Sequence, residues 1–172
     1  MKTCKICLNK FEPQKPLQVT CSYSCALSYA RGHMAKKVKA ENKVKKERMK
    51  TKSQHLKELQ TIFNKFIRLR DKGQNCISCD AKIKGNGHAS HFFSVGSNPA
   101  LRFNENNCFV SCEYCNTYLH GNLFEYSIRL PERIGEDAYQ KLLSSKGEKL
   151  HLSIPEIELL KTIYKNKIKD IE

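Results

Sequence analysis

Apolar residues fall along this chain in short groups, and their spacing changes character several times. Between 55 and 70, Leu56, Leu59, Phe63, Phe66 and Ile67 recur at helical spacing, with Ile62 and Leu69 flanking the stripe. This predicts an amphipathic helix docked on a core, ended by Asp71-Lys72-Gly73. Around Asp80–Gly87 turn residues dominate, and Lys84-Gly85-Asn86-Gly87 reads as a hairpin turn. Phe92, Phe93 and Val95 read as a short strand. Leu101, Phe103, Phe109 and Val110 are further short apolar pieces, and the segment from Cys112 opens a helix ending near Gly121. Towards the C-terminus, Gly135-Glu136-Asp137 leads into Ala138, Leu142 and Leu143. Ser153-Ile154-Pro155-Glu156 is a capping box. The helix after it carries Ile157, Leu160, Tyr164, Ile168 and Ile171 on one face, all packing positions.

Residues 34–54 break this pattern. Met34, Val38, Val44 and Met49 are sparse among Lys, Glu, Asn and Arg, and Pro and Gly are absent. Strong helix formers make the stretch either an exposed helix or a disordered basic tether. Charge sharpens the picture, since the 172 residues carry 31 Lys and Arg against 17 acids, for a net +14. That balance favours polyanionic partners, chiefly nucleic acid. Lys36, Lys37, Lys39, Lys43, Lys45, Lys46, Arg48, Lys50 and Lys52 are the expected phosphate contacts. A solvated charge run is the plainer reading of the same residues.

Nine cysteines require a reason. No apolar stretch follows Met1-Lys2-Thr3-Cys4 as in a signal peptide, and no apolar run approaches the roughly 18 residues of a bilayer span. A cytoplasmic protein, with no membrane partner, is therefore expected, and there cysteines bind metal more often than they form disulfides. Eight of them fall into four close pairs: Cys4/Cys7, Cys21/Cys25, Cys76/Cys79 and Cys112/Cys115. Two structural Cys4 zinc sites account for them. Residues 1–30 form a module too small to bury a core without its metal. Cys108 is left over and reads as a packing residue.

The second pair of CxxC motifs encloses an unusually long loop, residues 80–111, with His88, His91, Asn98, Asn104, Asn106 and Asn107; Asn116 and His120 follow. Four thiolates saturate a zinc ion, so that zinc is a frame and not a catalyst. If Asn116 and His120 lie on a helix they share one face at i,i+4, and His91 or His88 from the preceding strand faces them. Such a group has room for a catalytic Mg²⁺ or Mn²⁺ on a scissile phosphate, with a neutral His as the base for the attacking water.

Cys76-Ile77-Ser78-Cys79, Ser90-His91-Phe92, Leu101-Arg102-Phe103-Asn104-Glu105-Asn106-Asn107, Cys112-Glu113-Tyr114-Cys115-Asn116, Gly121-Asn122 and Arg133-Ile134-Gly135 together resemble the phage NinG/Rap recombination endonuclease family, across about residues 56–165. The resemblance implies a zinc-containing nuclease related to the HNH (His-Me finger) group, acting on Holliday junctions or D-loops with Mg²⁺ or Mn²⁺. By that likeness His91 is the general base, Asn116 a metal ligand, and Asn107 the residue that braces the hairpin. The sequence departs from the family at Phe109, where a His is common, and at Leu119, where a Lys is common; His120 and His88 are then further candidate ligands. The expected fold is α+β: a small zinc-stabilised ββα-metal (HNH-like) core with flanking helices, an N-terminal zinc module and a long basic helix. The expected divisions are a zinc module (1–30), a basic helical or flexible linker (31–54), the nuclease core (55–130) and C-terminal helices (131–172). Cutting both strands of a branched double-stranded DNA needs two active sites, so a homodimer is attractive. A non-catalytic zinc adaptor that binds nucleic acid explains the charge and the cysteines equally well, but not His91 together with Asn116.

Overall fold

The structure is a computed structural model that describes the backbone of all 172 residues and every side chain except that of Arg48. It is helix-rich with two small sheets, and it divides into two compact units, residues 1–50 and 51–172. No helix is long and apolar enough to cross a membrane.

The first unit opens with β1 (Lys2–Thr3) paired antiparallel to β2 (Lys10–Phe11), followed by α1 (Tyr23–Arg48). Ser22 caps α1 by accepting a bond from the Cys25 N–H at 3.3 Å. The module expected over 1–30 and the basic stretch expected over 31–54 are thus joined by one helix, which begins among the cysteines. Lys52 belongs to the second unit.

In that unit α2 (Lys52–Arg70) begins with a capping box of Thr51 and Gln54. The hairpin of β3 (His88–His91) and β4 (Cys108–Ser111) is antiparallel, pairing His88 with Ser111 and His91 with Cys108. Then come a helical turn at Tyr114–Tyr118, α3 (Leu123–Ile134), α4 (Glu136–Ser144) and α5 (Ile154–Ile171). The Ser153/Glu156 capping box forms as expected.

Successive strand residues face opposite sides of a sheet, so the hairpin has two faces and supports two cores. On one face Cys108, with Ala89 beside it, joins Leu59, Phe63, Phe66 and Ile67 of α2 and Ile157, Tyr164 and Ile168 of α5. On the other, Phe109 joins Ile77, Leu101, Tyr126, Leu130 and Leu142. Phe63 and Tyr164 meet edge to face at 5.1 Å, and the Tyr164 hydroxyl donates to the Phe103 carbonyl, so Tyr164 is a packing residue. Arg70 and Asp71 bolt α2 to the hairpin: Arg70 grips Asp71 at 2.7 and 2.9 Å and donates to the Cys108 carbonyl, while Asp71 accepts from the Val110 N–H at 2.9 Å.

Several local expectations are corrected. The strand lies at His88–His91, not at Phe92, Phe93 and Val95, which start the loop that follows it. Leu101 and Phe103 lie in a 3-10 turn, Pro99–Phe103. Ile171 is exposed, and the buried face of α5 instead includes Lys161, whose ammonium donates to Glu58 at 2.7 Å and Glu158 at 2.6 Å. The helix expected to run from Cys112 to Gly121 stops at Tyr118. His120, Gly121 and Asn122 all take positive φ (49, 97 and 47°) before α3 begins.

Candidate metal sites and hairpin site

The two cysteine sets are built alike. In the first, Cys4 N–H donates to the Asn9 carbonyl and Leu8 N–H to the Cys4 carbonyl; in the second, Cys76 N–H donates to the Ala81 carbonyl and Asp80 N–H to the Cys76 carbonyl. Both turns place the residue after the second cysteine in the left-handed region, Leu8 at φ 63° and Asp80 at φ 58°. A leucine adopts that conformation at a cost, and the turn that brings the two sulfurs together supplies the reason.

Each set converges on one point. The four sulfurs of Cys4, Cys7, Cys21 and Cys25 lie within 4.8 Å of one another, as do those of Cys76, Cys79, Cys112 and Cys115. Sulfurs roughly 2.3 Å from a tetrahedral zinc stand about 3.8 Å apart. Cys21–Cys25 and Cys79–Cys112 are both 3.8 Å apart, and Cys7–Cys21 is 3.4 Å apart. The residues fit Zn²⁺, and four thiolates close its shell. Burial raises the Cys4 thiol, but backbone N–H groups of Cys7, Ile6 and Cys21 outweigh it and hold the group down at about 6. Burial likewise opposes ionisation of Cys76, and the N–H groups of Cys112, Cys79 and Ser78 lower it. Cys108 takes no part in either set; burial pushes its thiol far up, as suits a packing residue.

The second set fixes the start of the helical turn against β3. The Asn116 N–H donates to the Cys112 carbonyl, and the Asn116 amide lies 3.4 Å from Nδ1 of His88. His88 is exposed and Asn116 half-buried. Ser111, across the ladder from His88, is fully buried, and its hydroxyl is the one buried side-chain polar atom among the described residues without a partner. Tyr114 and Tyr118 flank Asn116 on the same turn, 63% and 67% exposed, with ring centres 6.0 Å apart. Sequence reasoning passed over both tyrosines; their i,i+4 spacing around Asn116 was the available signal.

The other expected members do not gather there. His91 points to the opposite face of the hairpin. Its Nε2 lies 2.9 Å from the Arg102 carbonyl, its Nδ1 3.6 Å from the Cys108 sulfur, and its ring centre 6.0 Å from that of Phe63. Burial lowers its pKa, which keeps the ring neutral. With Nε2–H donating to the carbonyl, the Nδ1 lone pair is directed at a buried thiol. His120 lies beyond the end of the turn, so the expected i,i+4 face with Asn116 does not exist; it is exposed and its side chain makes no hydrogen bond among the described residues. Asn107 is fully buried and braces the loop: Oδ1 accepts from the Phe93 N–H at 2.8 Å, and Nδ2 donates to the carbonyls of Phe93 and Leu101 at 3.0 Å each. In the first unit Lys36, Lys37, Lys39, Lys43, Lys45 and Lys46 are all exposed, and Lys50 pairs with Glu47 at 2.6 Å. The side chain of Arg48 lies outside the described residues.

For a catalytic Mg²⁺ or Mn²⁺ the protein offers two donors in contact, the His88 imidazole and the Asn116 amide. These hard cations prefer oxygen ligands, so of the two only the Asn116 amide oxygen suits them well, and water and substrate phosphate would have to complete the shell. The amide oxygen and nitrogen are interchangeable by a flip, which decides whether Asn116 presents an acceptor.

A helix-rich protein with two Cys4 clusters, each able to hold a zinc ion, is the class these features define. The chain belongs to the NinG family: the family model described as Bacteriophage Lambda NinG protein matches residues 1–172. Protein ninG of Escherichia phage lambda is 35% identical over 129 residues, 75% of this chain and 63% of that protein. Protein ninG of Salmonella phage P22 is 34% identical over 129 residues, again 63% of its length. Protein ninG of Enterobacteria phage H19B is 30% identical over 189 aligned positions, covering 99% of this chain and 93% of that protein. The match thus spans less than two thirds of the lambda and P22 relatives. No solved structure matches the chain significantly.

Proposed function

We propose that this protein is a divalent-metal-dependent endonuclease that cuts branched double-stranded DNA such as Holliday junctions or D-loops in the host cytoplasm, as the resemblance of its sequence motifs to the NinG/Rap family implies. The observation that carries this reading is the meeting of His88 and Asn116 on an open face of a hairpin whose position a Cys4 site holds. A divalent ion, when bound there, supplies positive charge for the scissile phosphate and an acidified water. Asn116, fixed by its backbone bond to Cys112, holds the register of the pair. Nε2 of His88 makes no hydrogen bond among the described residues and is available to the phosphate or its water. Tyr114 and Tyr118 present ring faces beside the pair, the kind of surface on which unpaired bases stack, and branch points supply such bases. The lysines of α1 supply sequence-independent phosphate contact. A homodimer places two such sites on one junction.

The test is cleavage of a labelled four-way junction with Mg²⁺ or Mn²⁺. Wild type cuts; Asn116→Ala and His88→Ala bind the junction with similar affinity and cut at least 100-fold more slowly, the scale of a lost catalytic contact. A wild-type protein that binds but cuts no substrate with any divalent ion is a zinc adaptor instead.

A further inference from the structure

The second unit carries a strongly basic surface outside the hairpin site. Lys65 and Arg68 are spaced i, i+3 near the end of α2 and so share one helix face, and Lys72 follows in the turn after the helix. They line a groove of about 560 Å³ whose other wall holds Lys82, Gln74, Asn75 and Asn86 from the segment around the second cysteine set. Lys65 and Arg68 also line a second groove, of about 580 Å³, against Thr162, Lys165, Asn166 and Lys169 of α5. The two grooves adjoin at Lys65 and Arg68, and together they make a track lined by six cationic side chains.

Little opposes this charge. Asp71, the acid within the track, is buried and consumed by Arg70 and the Val110 N–H. Glu172 pairs with Lys65 at 2.6 Å, but both side chains are about half exposed, so phosphate can displace that contact cheaply. At the far end, Glu58 and Glu158 are engaged with Lys161. Cationic and amide side chains rim the track, over an apolar floor that includes Ile62, Leu69, Ile83, Val110 and Ile168. A row of flexible cations and amides along a shallow groove suits a regularly charged backbone better than a small anion held by converging donors.

We propose that this track, running from α5 across α2 to the second metal site, binds the phosphate backbone of a DNA duplex arm independently of sequence. It extends the reading of the protein as one that works on DNA. It gives the second unit its own duplex contact, separate from the lysines of α1.

The experiment measures affinity of the full-length, zinc-loaded protein for a labelled 30-base-pair duplex across a salt series, with junction cleavage recorded on the same samples. The variants are the triple Lys65→Gln/Arg68→Gln/Lys72→Gln and, as control, the double Lys141→Gln/Lys149→Gln at exposed positions elsewhere in the unit. Each lost phosphate contact removes about 0.9 from the slope of log K against log salt. The triple variant is expected to lose about 2 to 3 from that slope and the control less than about 0.5. Circular dichroism melting checks that the triple variant folds; if it does not, the single variants Lys72→Gln and Lys165→Gln, at exposed positions, each must lower the slope by about 0.9. An unchanged slope with cleavage intact overturns the track and leaves the nuclease reading standing. A slope that depends on the track in a protein that never cuts supports the track and overturns the nuclease reading.

Discussion

Replacing Asn107 with Ala tests how the loop between β3 and β4 is held. The side chain is fully buried and makes three hydrogen bonds of 2.8 to 3.0 Å, one from the Phe93 N–H and two to the carbonyls of Phe93 and Leu101. Alanine leaves the Phe93 N–H and carbonyl without a partner, while the Leu101 carbonyl keeps the Asn104 N–H at 3.2 Å. At about 1 to 1.5 kcal/mol for each group so stranded, the loss is about 2 to 3 kcal/mol. That is a large share of the roughly 5–15 kcal/mol that holds a domain together. For a unit of this size it corresponds to a fall of about 8–15 °C in Tm. Asn107→Asp is expected to be no better, because it keeps the acceptor for Phe93 but turns two donors into a charge facing two carbonyls. Urea unfolding followed by far-ultraviolet circular dichroism is the assay, since the chain has no Trp to report. A loss below about 1 kcal/mol for the alanine variant would refute the bracing role. If junction cutting falls 100-fold at a temperature where the variant is fully folded, Asn107 acts on substrate rather than on the loop.

Two further outcomes concern metal and pH. The purified protein should contain two zinc ions per chain by elemental analysis, and Cys76→Ser or Cys21→Ser should each lose one; retention of two ions in either variant contradicts the site assignment. His91 is buried with its pKa lowered, so the unfolded chain takes up a proton that the folded one refuses. Stability from this group is full above about pH 6.5 and declines as the pH falls below that value towards the folded pKa. His91→Gln should flatten the pH dependence of urea midpoints between about pH 5 and 7 relative to wild type, and an identical slope in both proteins would show that His91 does not contribute.

Much of the architecture was legible because its signals are local. The stripe Leu59, Phe63, Phe66 and Ile67 buries as its spacing implies, and Ser153 with Glu156 caps α5, because both depend on residues within a turn or two of each other. The cysteine sets were legible because metal chemistry constrains spacing. Placement of the histidines was not, because a one-residue shift of a strand reverses which side chains face which core. The strand starts at His88, which sends His88 towards Asn116 and His91 towards Phe63; Phe92 and Phe93, whose apolar character suggested the strand, pack in the loop instead. The i,i+4 pairing of Asn116 with His120 failed because the helix ends at Tyr118. At Gly121 (φ 97°) an added Cβ would come within 3.3 Å of Leu123, and its N–H closes on the Cys115 carbonyl at 2.8 Å, so hydrogen bonding to the second cysteine set ends the helix there. The Arg70–Asp71 bolt and the buried Lys161 join residues far apart in sequence, and no periodicity announces them.

In the proposed nuclease the reacting pair is His88 with Asn116, and His91 supports the hairpin from its other face. Single-turnover cleavage of a four-way junction in Mn²⁺, with His88→Ala and His91→Gln beside wild type, tests this assignment most directly. His88→Ala is expected to stay as stable as wild type and lose cutting, whereas His91→Gln melts at a lower temperature yet cuts when folded. Full cutting by His88→Ala, with cutting abolished in a stably folded His91→Gln, would contradict it.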